Sequence, residues 1–363
     1  MQQNPQRHTP PTGGHRVPIG STSQKTSQVM VAVVAVILAL SLIVLFSLVS
    51  ILKHRADAKA QEVALLSAEL EEKRKQTADD ETMVRPIEID SIARYTANTK
   101  EITEQINSEY AFLLDVTNNE VVAHKNGEAI IYPASMTKVM TLIVAIENIE
   151  DLNDTFTFDY TITDPAYEAG ASIAGFLSSE TVPLIDILYG IHLPSGADAA
   201  TAIAIEVAGT EEAFVEMMND KAKAMGLTNT HFVNASGLHD PNHYTTPHEM
   251  AKITEYAMKN PIIAEIMSEY QYATTPTPQH PDGLLLTSTM FSYMRGDEVD
   301  GIDIFAGKTG YTTEARRCLA SVAETEDGKR YILVTANGYS AEDGDHAAVY
   351  DAFDIYREYV VES

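Results

Sequence analysis

The chain has 363 residues, with 25 Lys plus Arg against 52 Asp plus Glu, a formal net charge of −27, one Cys and no Trp. Such a charge excludes nucleic acid as a partner, since phosphates would be repelled, and one Cys excludes an intrachain disulfide. The length allows one sizeable domain with appendages.

Residues 1–28 are rich in Gln, Pro, Gly, Ser and Thr, carry too few large apolar side chains to bury a core, and read as a disordered tail. Val29 to Leu52 follows without a charged side chain. As a helix, that run of roughly 24 residues reaches about 36 Å, enough to cross a bilayer. A cleaved leader is the rival reading, because Ala58-Lys59-Ala60 is a small-x-small triplet; the apolar run is longer than such leaders usually carry. Arg7, Arg16 and Lys25 before the span nearly balance Lys53, Arg55 and Lys59 after it, so charge alone does not orient it. Residues 53–84 read as a helical stalk and linker, with Ala56, Val63, Leu66 and Leu70 roughly on one stripe. That is fewer heptads than a coiled coil requires, which favours a solvated helix, and residues 76–84 form a flexible join. The remaining domain, 85–363, holds most of the acidic excess, as suits a solvated surface.

Within that domain, Ala111–Val116 and Glu120–Ala123 are β-rich and flank Thr117-Asn118-Asn119, a hairpin signature. Ser135–Ile149 reads as an apolar helix with its serine in the first turn, where the helix dipole favours negative charge. Leu184–Tyr189, Ala199–Val207, Glu211–Met225 (stopped by Gly226), Pro247–Asn260 and Pro261–Tyr270 read as helices. Ile302–Ala306, Arg317–Ala323 and Arg330–Ala336 read as strands, and Ala347–Val360 as a closing helix. Strands at both ends with helices between predict an α+β domain.

Three short motifs stand out in chain order. Ser135-Met136-Thr137-Lys138 puts a hydroxyl and an amine on one helical face, a nucleophile beside its base. Ser195-Gly196-Ala197 and Lys308-Thr309-Gly310 follow, in the order of the S-x-x-K, S-x-N and K-T-G set of penicillin-recognising enzymes. With the stretches Leu113–Asn126, Leu188–Ala200, Met225–Phe232, Asn234–Leu238 and Gly307–Cys318, the chain resembles the D-alanyl-D-alanine carboxypeptidases, the low-molecular-mass penicillin-binding serine peptidases, from about Tyr110 to Tyr356.

The resemblance implies a β-lactamase/transpeptidase-like antiparallel sheet flanked by helices. It implies a serine-type D-Ala-D-Ala carboxypeptidase that trims peptidoglycan stem peptides through an acyl-enzyme on Ser135. Lys138 would be the general base and Ser195 the proton relay to the leaving amine. Lys308 would supply positive charge for the substrate carboxylate and help depress the pKa of Lys138. Thr309 would hydrogen-bond that carboxylate, Gly310 would leave room for the substrate backbone, and the N–H groups of Ser135 and Tyr311 would form the oxyanion hole. β-Lactams would be covalent inhibitors, and no cofactor or metal is required. Wall peptide lies outside the cell, so residues 1–28 would be cytoplasmic and the domain extracytoplasmic, held at the bacterial membrane by residues 29–52.

Three departures from the family pattern stand out: Ala197 replaces the usual Asn, Arg316 a common Gly, and Thr287-Ser288-Thr289 an Asn-rich stretch. None removes a proton-transferring group. The alternative is a membrane-tethered wall-binding or penicillin-binding protein with weakened catalysis. A class A β-lactamase is disfavoured, since no Glu is followed four residues later by Asn between Ser195 and Lys308. His239 and His243 read as loop residues rather than a metal pair, and no H-E-x-x-H occurs. Cys318 reads as buried, Ser172 as a loop residue, and Asp198 as a helix N-terminal cap.

Overall fold

The computed structural model describes Lys53 and residues 93–362, apart from 104, 295–298 and 341–343. The tail (1–28), the expected transmembrane helix (29–52) and, save Lys53, the stalk and linker (53–84) lie outside the described residues. Among the described residues, no helix is long and apolar enough to cross a membrane.

In chain order the domain begins with strands β1 (Lys100–Glu101), β2 (Tyr110–Asp115) and β3 (Glu120–Lys125). Helix α1 (Lys138–Asn148), strand β4 (Thr155–Thr157), helix α2 (Tyr160–Glu168) and strand β5 (Thr181–Pro183) follow. Four helices come next: α3 (Leu184–His192), α4 (Ala197–Ala208), α5 (Glu211–Ala224) and α6 (Pro247–Met258). Then come helix α7 (Pro261–Ser268), strands β6 (Gln271–Ala273) and β7 (Leu285–Thr287), and helix α8 (Thr289–Met294). The chain returns through β8 (Ile302–Thr312), β9 (Arg316–Thr325) and β10 (Arg330–Gly338) to helix α9 (Ala347–Tyr356). The expected α+β order holds.

One six-stranded sheet, in the order β1-β3-β2-β10-β9-β8, is antiparallel except for β1 beside β3. It is covered on both faces, and the period of two along each strand sorts side chains between two cores. Phe112 and Leu114 of β2, with Ile332 and Val334 of β10, pack into the large core built with α1 and the helices α3–α7. Ala111, Leu113, Tyr331 and Leu333 face the smaller core under α9. Helix α1 is buried from Lys138 to Ile146, as expected for a helix apolar on nearly every side.

Local signals explain the elements the sequence foretells. The Asp115 carboxylate accepts from the N–H and side-chain amide of Asn118, and Asn119 takes a left-handed φ of 52°, closing the β2–β3 hairpin. Thr210 caps α5, whose first turn is acidic and last turn basic, and Gly226 lies just beyond it at φ 73°. Thr246 and Asn260 cap α6 and α7, each with Pro in the first turn.

Three expectations change. Ser135 lies in a 3₁₀ turn, Ala134–Thr137, ahead of α1, rather than in the first turn of an α-helix. Pro133 precedes a left-handed Ala134 (φ 48°), which blocks a regular helical start. Strand β8 runs through the third motif to Thr312 instead of stopping at Ala306. Helix α4 is capped by Gly196 without a side-chain bond, so Asp198 is not its cap.

Candidate active site

A cleft of about 410 Å³ opens where the 3₁₀ turn, the α3–α4 connection, the loop around Ser236 and the outer strand β8 converge. Ser135, Lys138, Ser195, Thr309, Gly310 and Tyr311 all line it, and Lys308 lies immediately behind Ser195.

A 3₁₀ turn brings residues three apart onto one line. The Lys138 amine accordingly lies 3.0 Å from Ser135 Oγ. It also donates to the Ser236 carbonyl at 2.5 Å, while Thr141 one turn further donates to the Ala235 carbonyl at 2.6 Å. The backbone of residues 235–236 therefore covers the helix face that carries the base. Asn234 shapes this loop by accepting from the N–H groups of Ser236 and Gly237. Burial pushes the Lys138 amine down to about 7, against the pull of Asp198 and Glu211. A neutral amine keeps a lone pair for the Ser135 proton while still donating to the Ser236 carbonyl.

The second serine is held in a left-handed conformation, φ 66°, with its hydroxyl 3.0 Å from the Lys308 amine. Lys308 is 1% exposed and also donates to the carbonyl of Thr309. Burial, and then the charge of Lys138, hold Lys308 well below its ordinary range. Burial is the main cause for both amines, and the repulsion between their charges is mutual.

Beside them, the Thr309 hydroxyl is hydrogen-bonded to that of Thr289 at 2.6 Å. A Cβ at Gly310 would stand 2.8 Å from the Pro133 carbonyl oxygen and 3.2 Å from Ser135 N, so β8 runs directly past the nucleophile's backbone. Tyr311 is 53% exposed, with the Arg317 guanidinium 3.8 Å from its ring centre. Among the described residues β8 is the last strand in the sheet, so no further strand pairs with its other edge.

Supporting residues escape a motif search. The Ser236 carbonyl is one, since any residue type supplies it; the run Asn234-Ala235-Ser236-Gly237, with its turn-forming Asn and Gly, is the visible signal. His192 is another. Burial and then the Lys308 charge lower it to about 3, so its neutral ring donates from Nε2 to the Gly307 carbonyl at 3.0 Å, and Nδ1 has no partner. Asp198 accepts from the N–H groups of Ala174 and Gly175, fastening the loop whose Ser172 carbonyl receives the Ala197 N–H. Ala197 and Ser172 both line the cleft, and Ala197 leaves every lysine and serine contact above in place.

His239 and His243 do not form a pair. His243 is buried, accepts from Val233 N–H at Nδ1 and so donates from Nε2 to Thr137 Oγ1, whereas His239 is exposed edge-on to Tyr132. Among the described residues no group of three His, Cys, Asp or Glu side chains could hold a metal ion. Burial raises the Cys318 thiol to about 12, leaving it unreactive.

The profile of a family described as D-alanyl-D-alanine carboxypeptidase matches residues 96–340. The chain is 31% identical over 236 residues to the D-alanyl-D-alanine carboxypeptidase DacF of Bacillus subtilis, covering 65% of this chain and 58% of that one. It is 31% identical over 242 residues to DacA of Escherichia coli, covering 64% and 57%. The chain thus spans under three fifths of these relatives' length. Among solved structures, a variant of the Streptomyces K15 DD-transpeptidase superposes with a TM-score of 0.63 at 26% identity, over 70% of this chain and 98% of that one. A D-alanyl-D-alanine carboxypeptidase of Mycobacterium tuberculosis gives 0.60 at 28%, over 69% and 92%.

Proposed function

The chain belongs to the D-alanyl-D-alanine carboxypeptidase family, and on that premise we propose that it removes the terminal D-alanine from peptidoglycan stem peptides through an acyl-enzyme on Ser135. The observation that carries this reading is the linked pair of 3.0 Å contacts, Lys138 to Ser135 and Lys308 to Ser195, in one cleft beside a strand edge that no other described strand pairs with.

Neutral Lys138 takes the Ser135 proton as Oγ bonds to the carbonyl carbon of the penultimate D-Ala. The oxygen of that carbonyl becomes an oxyanion facing the N–H groups of Ser135 and Tyr311. As the intermediate collapses, the C–N bond breaks and the departing amine of D-Ala receives a proton through Ser195. Water then hydrolyses the ester, returning the serine hydroxyl. The substrate backbone pairs with the open edge of β8, and Thr309 meets the terminal carboxylate. β-Lactams acylate the same oxygen and stay attached.

The uncharged run Val29–Leu52 supports a single-pass anchor at the bacterial membrane, with residues 1–28 inside and the domain of residues 85–363 outside, where its substrate lies. N-terminal sequencing of the mature protein that began at Gln61 would replace the anchor with a cleaved leader.

The test of function uses the full chain. A fluorescent penicillin should label it, a defined pentapeptide should lose D-Ala, and Ser135→Ala should abolish both. Wall-peptide binding without labelling or D-Ala release would overturn the reading.

A further inference from the structure

Ala235 and Ser236 are 0% and 4% exposed, yet neither belongs to a helix or a strand, so their peptide groups need partners from elsewhere. Side chains supply all four. The Ala235 carbonyl accepts from Thr141 and the Ser236 carbonyl from Lys138, both on α1. The Ser236 N–H donates to Asn234 Oδ1 at 3.2 Å, within the loop itself. The Ala235 N–H donates to Glu211 Oε1 at 3.0 Å, and Glu211 is the first residue of α5. The Thr210 hydroxyl takes the Ala213 N–H, so capping of this helix does not compete for the Glu211 carboxylate. Helix α5 holds the same stretch again roughly two turns on, where the Asn219 side chain accepts from the Phe232 N–H and donates to the Phe232 carbonyl.

The same carboxylate acts on the base through space. Burial lowers the Lys138 amine, and Asp198 and then Glu211 oppose it. The other ionisable groups facing the amine are Lys308 on β8, whose charge repels it, and His243, whose buried neutral ring bonds Thr137. Asp198 is committed to the N–H groups of Ala174 and Gly175, so altering it would loosen another wall of the cleft. Glu211 is separable: an amide in its place still accepts from the Ala235 N–H but bears no charge.

We propose that Glu211 is a positioning residue for acylation: its oxygen fixes the Ala235–Ser236 backbone over Lys138, and its negative charge makes that amine hold a proton more firmly. The assignment rests on the acyl-enzyme reading above. A base that holds its proton more firmly takes the Ser135 proton with more driving force, at the expense of being neutral less often in mild acid.

The test measures second-order acylation constants for a fluorescent penicillin between pH 5 and 9 on the full chain and on its Glu211→Gln and Glu211→Ala variants. Without the negative charge, Lys138 sheds its proton at lower pH. Glu211→Gln should therefore move the midpoint of the rate profile down from about 7 by about half a unit. It should acylate about two- to threefold faster at pH 6 and reach a plateau within about twofold of the unaltered chain. Structural damage does not produce a gain confined to acid pH. Glu211→Ala, which also leaves the buried Ala235 N–H without its acceptor, should lower the plateau at least about tenfold. A Glu211→Gln midpoint that stays in place or moves up overturns the role of the charge. A Glu211→Ala plateau equal to that of Glu211→Gln overturns the role of the hydrogen bond. An unaltered chain that penicillin does not label overturns the acyl-enzyme reading, and this assignment with it.

Discussion

Gly237 packs so closely against Ala134 that a Cβ on it would stand 1.9 Å from the Ala134 carbonyl oxygen, and its φ of 84° belongs to the left-handed region. This contact locks the loop bearing the Ser236 carbonyl to the turn bearing Ser135. Gly237→Ala must therefore shift one backbone or the other. We expect a stability loss of about 2–4 kcal/mol and penicillin acylation at least about tenfold slower. Chemical denaturation and stopped-flow labelling would check this; labelling at the unaltered rate would show that the loop does not position Lys138.

Acylation should depend on a single ionisation close to neutrality. Burial brings Lys138 down to about 7, and only its neutral form can take the Ser135 proton. The rate should rise with pH through about 7 and level off above it. Second-order acylation constants between pH 5 and 9 are the measurement. A rate that fell with rising pH over this range would remove Lys138 from its role.

His243 should make the fold acid-sensitive. Its ring is held neutral, with burial as the main cause, and its pKa is lowered from 6.5 to about 4. The unfolded chain then binds the extra proton first as pH falls. Stability is full above about pH 6.5 and is lost as the pH drops through about 4, by up to roughly 3 kcal/mol. His243→Gln keeps a donor for Thr137 and an acceptor for Val233 N–H without the titration. Its urea-unfolding free energy should be flatter across that window, and a slope equal to that of the unaltered chain would exclude this histidine as the source.

Ala197 is 4% exposed and lines the cleft. Ala197→Asn would add an amide able to bond the substrate backbone and Lys138, worth about 1 kcal/mol, or roughly a fivefold rise in kcat/KM on a pentapeptide. A fall in kcat/KM with unchanged Tm would mean that the cleft is shaped around the smaller side chain.

How much of this site can be read beforehand depends on whether chemistry or packing selects the residue. Ser135, Lys138, Ser195 and Lys308-Thr309-Gly310 are legible because proton transfer and close backbone approach admit few residue types. The Ser236 carbonyl is not, since side-chain identity carries no record of it. Helix α2 has Pro165 inside it, and the β4–β5 and β6–β7 pairs are three residues per strand, so these elements depend on distant partners rather than local pattern. The sidedness of Arg317 emerges only when Gly338 and Tyr311 are paired across it. Arg316 is at φ 54°, a conformation that glycine would adopt without strain.

Ser195 sets chemistry against conformation. Its φ of 66° is one that glycine would adopt without strain, so the backbone alone would be served better by a residue with no side chain. Ser195→Gly should thus be the gentlest way to delete the hydroxyl facing Lys308, yielding a sturdier protein that turns over poorly. At this one position, selection for sturdiness and selection for turnover pull in opposite directions, and the serine marks which of them has prevailed.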